Sequence, residues 1–366
     1  MRFDLTEDQR LARDVVQRFL STEQPLSAVR ATLEEPSGFD AELWKKMSAL
    51  GWTSPLVPDE HGGASISDAP VVDLTVIAAE IGRAVAPGPF LETNVAIDAL
   101  VRSDNADLRD RHLPGLLEGS AVAGWWLQRS PTSGIVIDRH SNGDVCIDGE
   151  ITATLPTQEA LLLLSGPTAT CLLERETSGV SVRALKWLDA STRHAVVSLD
   201  NVRLPAGQAL STGPDEVERA RRLAWVLQAA ELTGVVDAVF GLTLDWLANR
   251  YLFGRPLASY QALKHRCADM KMWVEATHAV ADAAADAVGA ESRGAGLLAR
   301  AAKAYAAAHA VELIQDCVQL HGGMCVTWEH DLHLYLRRAT LIANSYGTPA
   351  DLYAEVAATE VGEATP

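Results

Sequence analysis

ERARRLAWVLQAAELTGVVDAVFGLTLDWLANRY, residues 218–251, decides the fold. The run holds no proline, is rich in alanine and leucine, and reads as one long helix. Two stretches of the same texture follow, ALKHRCADMKMWVEATHAVADAAADAVGA at 262–290 and GAGLLARAAKAYAAAHAVELIQDCVQL at 294–320. A fourth helix begins near LHLYLRRATLIA, residues 332–343. Small residues let long helices approach closely, so the pattern predicts a four-helix bundle over residues 213–366, with the tail EVGEATP fraying.

Upstream of the bundle the texture changes. Between residues 119 and 212 lie short apolar runs, CIDGEI, ALLLLSG, TATCLLE, VSVRAL and HAVVSLDNV, separated by turn residues. They predict a compact antiparallel β-barrel or sandwich, with a hairpin at Asn142-Gly143. Residues 1–118 read as helical. Thr6-Glu7-Asp8-Gln9 is a capping box ahead of LARDVVQRFL. FDAELWKKMSALGW is a helix stopped at Gly51, and DAPVVDLTVIAAEIGRA is another. The expected fold is therefore α+β, mainly α, in three parts.

Composition narrows the function. A formal net charge of −17 argues against a nucleic-acid backbone as the main partner. Hydrophobic residues at 48% and charged residues at 22% suit a large folded core. The five cysteines are widely spaced with no CxxC, so neither a disulfide framework nor a zinc site is expected, and a reducing cytoplasm fits. The N-terminus has no apolar signal core, and charge breaks the longest apolar stretches short of a membrane span. Glu329, His330 and His333 do not form H-E-x-x-H, so no metal is expected there.

Four words in order carry a resemblance: GWTSPLVPDEHGG from Gly51, LDASTRHAVVSLDNVRLP from Leu188, RYLFGRPLASYQALKHRCADM from Arg250 and QLHGGMCVTWEHDLHLYLRRA from Gln319. Together they resemble the acyl-CoA dehydrogenase family over nearly the whole chain. Asp59 stands where that family's first word has Glu. The resemblance implies a flavin enzyme that desaturates an acyl-CoA thioester. A carboxylate removes the α-proton, and FAD takes the β-hydride.

In such enzymes each FAD lies across a subunit interface, and the neighbour supplies part of the site. By resemblance, Arg250, Phe253, Gln261, Gln319, Gly322 and Gly323 stand at the neighbour's cofactor-binding positions. Arginine suits pyrophosphate, and glycines let backbone N–H groups approach phosphate. Leu252 replaces the usual Gln or Thr, and Cys325 replaces a glycine.

The other half is degraded. WWLQRSPTSGIVID, from Trp125, replaces the family's T-E-x-x-x-G-S-D, and ITATLPTQEA, from Ile151, replaces its Trp-x-Thr-Asn. The two family positions for the base hold Tyr346, before Gly347-Thr348, and Ala224, upstream of Gly234. A phenol with a pKa near 10 is a poor base at neutral pH, and alanine is none.

The expectation is a non-catalytic subunit that shares FAD with a catalytic partner in an α2β2 assembly. That assembly would act on an acyl-CoA, as in actinobacterial steroid side-chain degradation, and pass electrons to a separate acceptor. Two alternatives stand beside it. One is a homo-oligomeric enzyme using Asp245, Glu231 or Tyr346. The other is a structural pseudoenzyme without flavin.

Overall fold

The structure, a computed structural model, describes residues 5–33, 39–128, 134–187, 189, 191–211 and 214–363. The chain opens with helices α1 (Glu7–Glu23), α2 (Leu26–Thr32), α3 (Ala41–Ala49), α4 (Pro70–Ala84), α5 (Phe90–Arg102) and α6 (Ala106–Glu118). Strands follow: β1 (Ala123–Leu127), β2 (Ile135–Arg139), β3 (Val145–Thr154), β4 (Leu161–Ser165), β5 (Thr170–Leu173), β6 (Val180–Leu185), β7 (His194–Leu204) and β8 (Ala209–Ser211). Helix α7 (Pro214–Asn249) leads to a short hairpin, β9 (Tyr251–Leu252) and β10 (Arg255–Pro256). The chain closes with α8 (Gln261–Gly289), α9 (Ala295–His321), α10 (Leu332–Asn344) and α11 (Pro349–Glu363). This is the expected α+β, mainly helical order.

Local chemistry explains the boundaries. Thr6 accepts from the Gln9 backbone N–H at 3.2 Å, and the Gln9 side chain accepts from the Thr6 N–H at 3.0 Å, closing the capping box. Asp40 caps α3 through the N–H groups of Glu42 and Leu43. The Asn142-Gly143 turn joins antiparallel β2 and β3, with Gly143 donating to the His140 carbonyl at 2.9 Å.

Two compact units are formed. One comprises Val29–Pro70 and Pro87–Ala224. Its sheet runs β6-β7-β3-β1-β4-β5-β8, with β2 alongside β3. Most pairs are antiparallel as expected, but β1 and β4 are parallel, so the sheet is mixed. Among the described residues the ends, β6 and β8, do not pair, so no barrel closes. Ile137, Ile147, Leu164 and Val197 pack in the core of this sheet. Trp125 is fully buried and donates to Ser165 Oγ at 2.9 Å, which marks it as core. A bidentate pair between Arg219 and Asp98, at 2.9 and 2.8 Å, ties the start of α7 to α5.

The second unit comprises Met1–Ala28, Val71–Ala86 and Trp225–Pro366, and holds the bundle. Helix α4 crosses α7 with backbones in contact. A Cβ on Gly82 would stand 1.9 Å from the Glu231 carbonyl oxygen, and one on Gly234 would stand 1.7 Å from that of Ala79. Charges fasten the same crossing. Arg83 pairs with Glu80 at 3.1 Å and with Asp237 at 2.7 Å, and Asp237 also meets His278 at 3.0 Å. Arg338 of α10 donates to Glu231 at 2.6 Å and to the Ala86 carbonyl at 3.3 Å.

Two expectations need correction. The fourth bundle helix is broken at Ser345–Thr348, giving α10 and α11, because Tyr346 and Gly347 both adopt positive φ. Helix α7 contains an 18-residue window with a hydropathy of 1.4, long and apolar enough to cross a membrane. That window is 83% buried, as in the core helix of a bundle. The stretch at residues 129–133 and the last tail residues, 364–366, lie outside the described residues.

Candidate functional site

Helix α7 ends against Arg250, whose N–H donates to the Trp246 carbonyl at 2.9 Å. The chain then turns at Phe253 and Gly254, with φ of 51° and 78°. Positive φ at both central residues gives the type I′ geometry that matches strand twist, and β9 and β10 pair across it. Tyr260 braces the hairpin from below. Its hydroxyl donates to the Leu252 carbonyl at 2.9 Å, and the Arg255 guanidinium lies 3.8 Å from its ring. Phe253, at the tip, is 88% exposed. The Arg250 side chain is exposed too, its guanidinium 5.6 Å from the Trp246 ring.

The second segment ends α9. Gln319 is exposed in the last turn, and Gly322 terminates the helix at φ 68°, ψ −151°. That conformation is essentially restricted to glycine. At Gly322 and Gly323 a Cβ would meet nothing within 4 Å, so a ligand could approach the backbone freely.

Trp246 joins the two segments. Its ring stacks on His321 at 5.3 Å, while Arg250 lies over the same indole. Burial holds the His321 pKa below the usual imidazole value. Its Nδ1 lies 2.8 Å from the Cys317 carbonyl, so the neutral ring carries its proton there. Cys325, in the position of the usual glycine, is buried with Sγ 3.4 Å from His330 Nδ1. It therefore leaves the Gly322-Gly323 approach open. Neither Trp246 nor His321 was singled out by the sequence. Their contact joins residues far apart in the chain, which no local motif reports.

The structure thus brings together Arg250, Phe253, Gly322 and Gly323 on two linked, outward-facing segments. Gln261, the first residue of α8, and Gln319 of α9 are exposed on separate helices. A guanidinium, open glycine backbone and an exposed aromatic suit a ligand with a pyrophosphate and a flat ring. FAD has both, so the residues present fit its adenosine diphosphate end.

Neither position at which the resemblance expects the base holds an acid. Ala224 is fully buried. Tyr346 has φ 54°, and its carbonyl accepts from Trp225 Nε1 at 2.8 Å. Glu231 is committed to Arg338 at 2.6 Å. Asp245 is exposed near the end of α7, and its carbonyl accepts from Asn249. Glu329 is exposed beyond α9. Among the described residues, no cluster of three or more His, Cys, Asp or Glu could hold a metal ion.

On the sheet, the ITATLPTQEA stretch leaves β3 and lines a cavity of about 340 Å³, together with Val182, Arg193 and His194. His194 is buried, and its ring stacks on Trp187 at 4.5 Å. Burial pushes its pKa down to about 4, so it is neutral and gives this cavity no proton at physiological pH.

Along the chain, helical N-terminal and C-terminal regions precede and follow a mixed sheet, and this order defines the fold class. Comparison with known proteins makes it specific. Residues 6–120 match the acyl-CoA dehydrogenase N-terminal domain, and residues 221–357 match the acyl-CoA dehydrogenase C-terminal domain. The chain is 30% identical over 353 residues to acyl-CoA dehydrogenase IpdE2 of Mycolicibacterium smegmatis, covering 95% of this chain and 97% of that protein. It is 31% identical to acyl-CoA dehydrogenase FadE34 of Mycobacterium tuberculosis, across 94% of this chain but 46% of that protein. The fold is similar to a chain of the ChsE4-ChsE5 complex from Mycobacterium tuberculosis, with TM-score 0.89, 23% identity and 100% of each chain covered. The chain belongs to the acyl-CoA dehydrogenase family.

Proposed function

We propose that this chain is the non-catalytic subunit of a heteromeric acyl-CoA dehydrogenase, of α2β2 composition. It lends half of an FAD site to a partner that carries the base. One observation carries the reading: the half-site residues face outward, while both base positions lack a carboxylate. When bound, FAD supplies the hydride-accepting chemistry. Arg250 pairs with its pyrophosphate, and the Gly322-Gly323 backbone approaches phosphate. Phe253 presents a flat apolar face, and Gln261 and Gln319 offer hydrogen bonds at the rim. The substrate is an acyl-CoA thioester, held and deprotonated by the partner, and electrons leave to a separate acceptor.

Two relatives support the partnership. ChsE4-ChsE5 is a complex of two differently named chains. FadE34 extends beyond the match by more than half its length, room for a second unit of this size. The test is a visible absorption spectrum. Purified alone, the chain is expected to carry little flavin and to oxidise no acyl-CoA with an artificial acceptor. Co-purified with a base-containing partner, it should show about one flavin per two chains, the stoichiometry of one shared site. Robust turnover by the isolated chain would overturn the reading.

A further inference from the structure

Two carbonyls, one just before the turn Ser345–Tyr346–Gly347 and one within it, are held from inside the bundle. The Ile342 carbonyl, in the last turn of α10, accepts from the Ser345 N–H at 3.2 Å. It also accepts from Lys303 Nζ of α9. The Tyr346 carbonyl accepts from Trp225 Nε1 of α7 at 2.8 Å. Tyr346 takes φ 54° before the second anchor, and Gly347 takes φ 130° after it. A bulky residue at positive φ is uncommon, and it persists only where its surroundings over-determine it.

Lys303 is the unexpected member, with 0% of its surface exposed. The alanine-rich run around it would pack as well with an apolar side chain of the same length. A buried ammonium is costly unless paired and hydrogen-bonded. Here the Ile342 carbonyl takes the hydrogen bond, and Glu231 of α7 supplies the opposing field. Glu231 is itself tied to Arg338 of α10 at 2.6 Å. Arg300, also on α9, pairs with Glu355 of α11 at 3.1 Å and lies 5.4 Å from the Trp225 ring. Each charged group named around the pin is thus paired, and Lys303 bonds the helix-end carbonyl just before the turn.

We propose that Lys303 is a positioning residue: its buried amine, together with Trp225, holds the Ser345–Gly347 turn in its left-handed form and fixes where the Tyr346 side chain stands. The inference concerns the chain's own interior and does not depend on the shared-flavin reading. Burial, opposed in part by Glu231, pushes the Lys303 pKa down to about 7. The amine is charged below that pH and neutral above it. A neutral amine is the weaker donor, so the turn loosens as pH rises through neutrality.

Hydrogen exchange on the full-length chain tests this, with neither flavin nor partner required. In Lys303→Met the amides at the end of α10, led by Ser345, whose N–H donates to the same Ile342 carbonyl, should exchange about ten- to a hundredfold faster, the loss of one charge-assisted bond. The melting temperature should hold or rise, because an apolar side chain replaces a buried charge. Unchanged exchange at the turn would overturn the proposal. So would faster exchange spread evenly along α9 and α10, which would mark Lys303 as ordinary core. Should the variant not fold, the wild-type protein decides. Protection of the same amides, corrected for intrinsic rates, should fall between about pH 6 and 8. A flat profile there rejects the pin.

Discussion

Two aromatic residues followed by glycine, Phe253-Gly254 and Tyr346-Gly347, share a positive φ at the aromatic, 51° and 54°. Their surroundings are opposite. Tyr346 is clasped by Trp225 through its own carbonyl, and Lys303 holds the helix end before it. Phe253 stands at a hairpin tip, 88% exposed, with nothing within 4 Å of where a Cβ on Gly254 would be. Strain at Tyr346 is compensated within the chain. At Phe253 the positive φ belongs to the hairpin turn, and the exposed ring is free to serve the proposed shared site. On the proposed reading, the contrast separates what this protein builds for itself from what it offers to a partner.

The comparison fails if the two regions respond alike to substitution. On the inner side, Arg338→Met removes the hydrogen-bonded partner of Glu231 and breaks a buried pair. Chemical denaturation of the isolated chain should show a loss of about 3–5 kcal/mol. A loss below about 1 kcal/mol would mean the interior network is ornamental.

On the outer side the effect should move from stability to ligand. Arg250→Ala in the complex should weaken FAD binding about ten- to a hundredfold, read by titrating FAD into folded apo-complex. Arg250→Lys should not restore it, since an ammonium lacks the planar two-pronged fork. If all three proteins share one dissociation constant, Arg250 only supports the helix end, and the shared site as drawn is wrong.

The smallest expected change sharpens the contrast most. In the isolated chain, Phe253→Gly relieves the positive φ but adds unfolded-state freedom, so stability should stay within about 0.5 kcal/mol. The same substitution should still lower flavin retention in the complex. A clear loss of stability in the chain alone would place Phe253 in the interior class with Tyr346.

The sequence disclosed these regions unevenly. Helix α7 was legible because 218–251 carries no breaker, and its observed span, Pro214–Asn249, differs only at the ends. The Thr6 capping box and the Asn142-Gly143 turn were legible because both are short-range chemistry. The parallel pairing of β1 with β4 was not, since the residues that meet there are set by a crossover rather than a local pattern. The half-site words around Arg250 and Gln319 could be read only through family resemblance. What joins them, the stack of Trp246 on His321, is a contact between helices. Lys303 was invisible for the same reason: in AAKAY it looks like any surface lysine until three helices close over it.

The crossing of α4 over α7 sets a limit on how this chain can diverge. At Gly82 and Gly234 a hydrogen is the largest substituent that fits, because each faces the other helix's carbonyl at under 2 Å from a would-be Cβ. Position 346 carries a phenol at a turn that the fold tolerates. The chain cannot add one methyl at either glycine without prising the helices apart. Descendants that drift in chemistry should therefore stay fixed here, and these two hydrogens are a more durable signature of the ancestry than any catalytic residue.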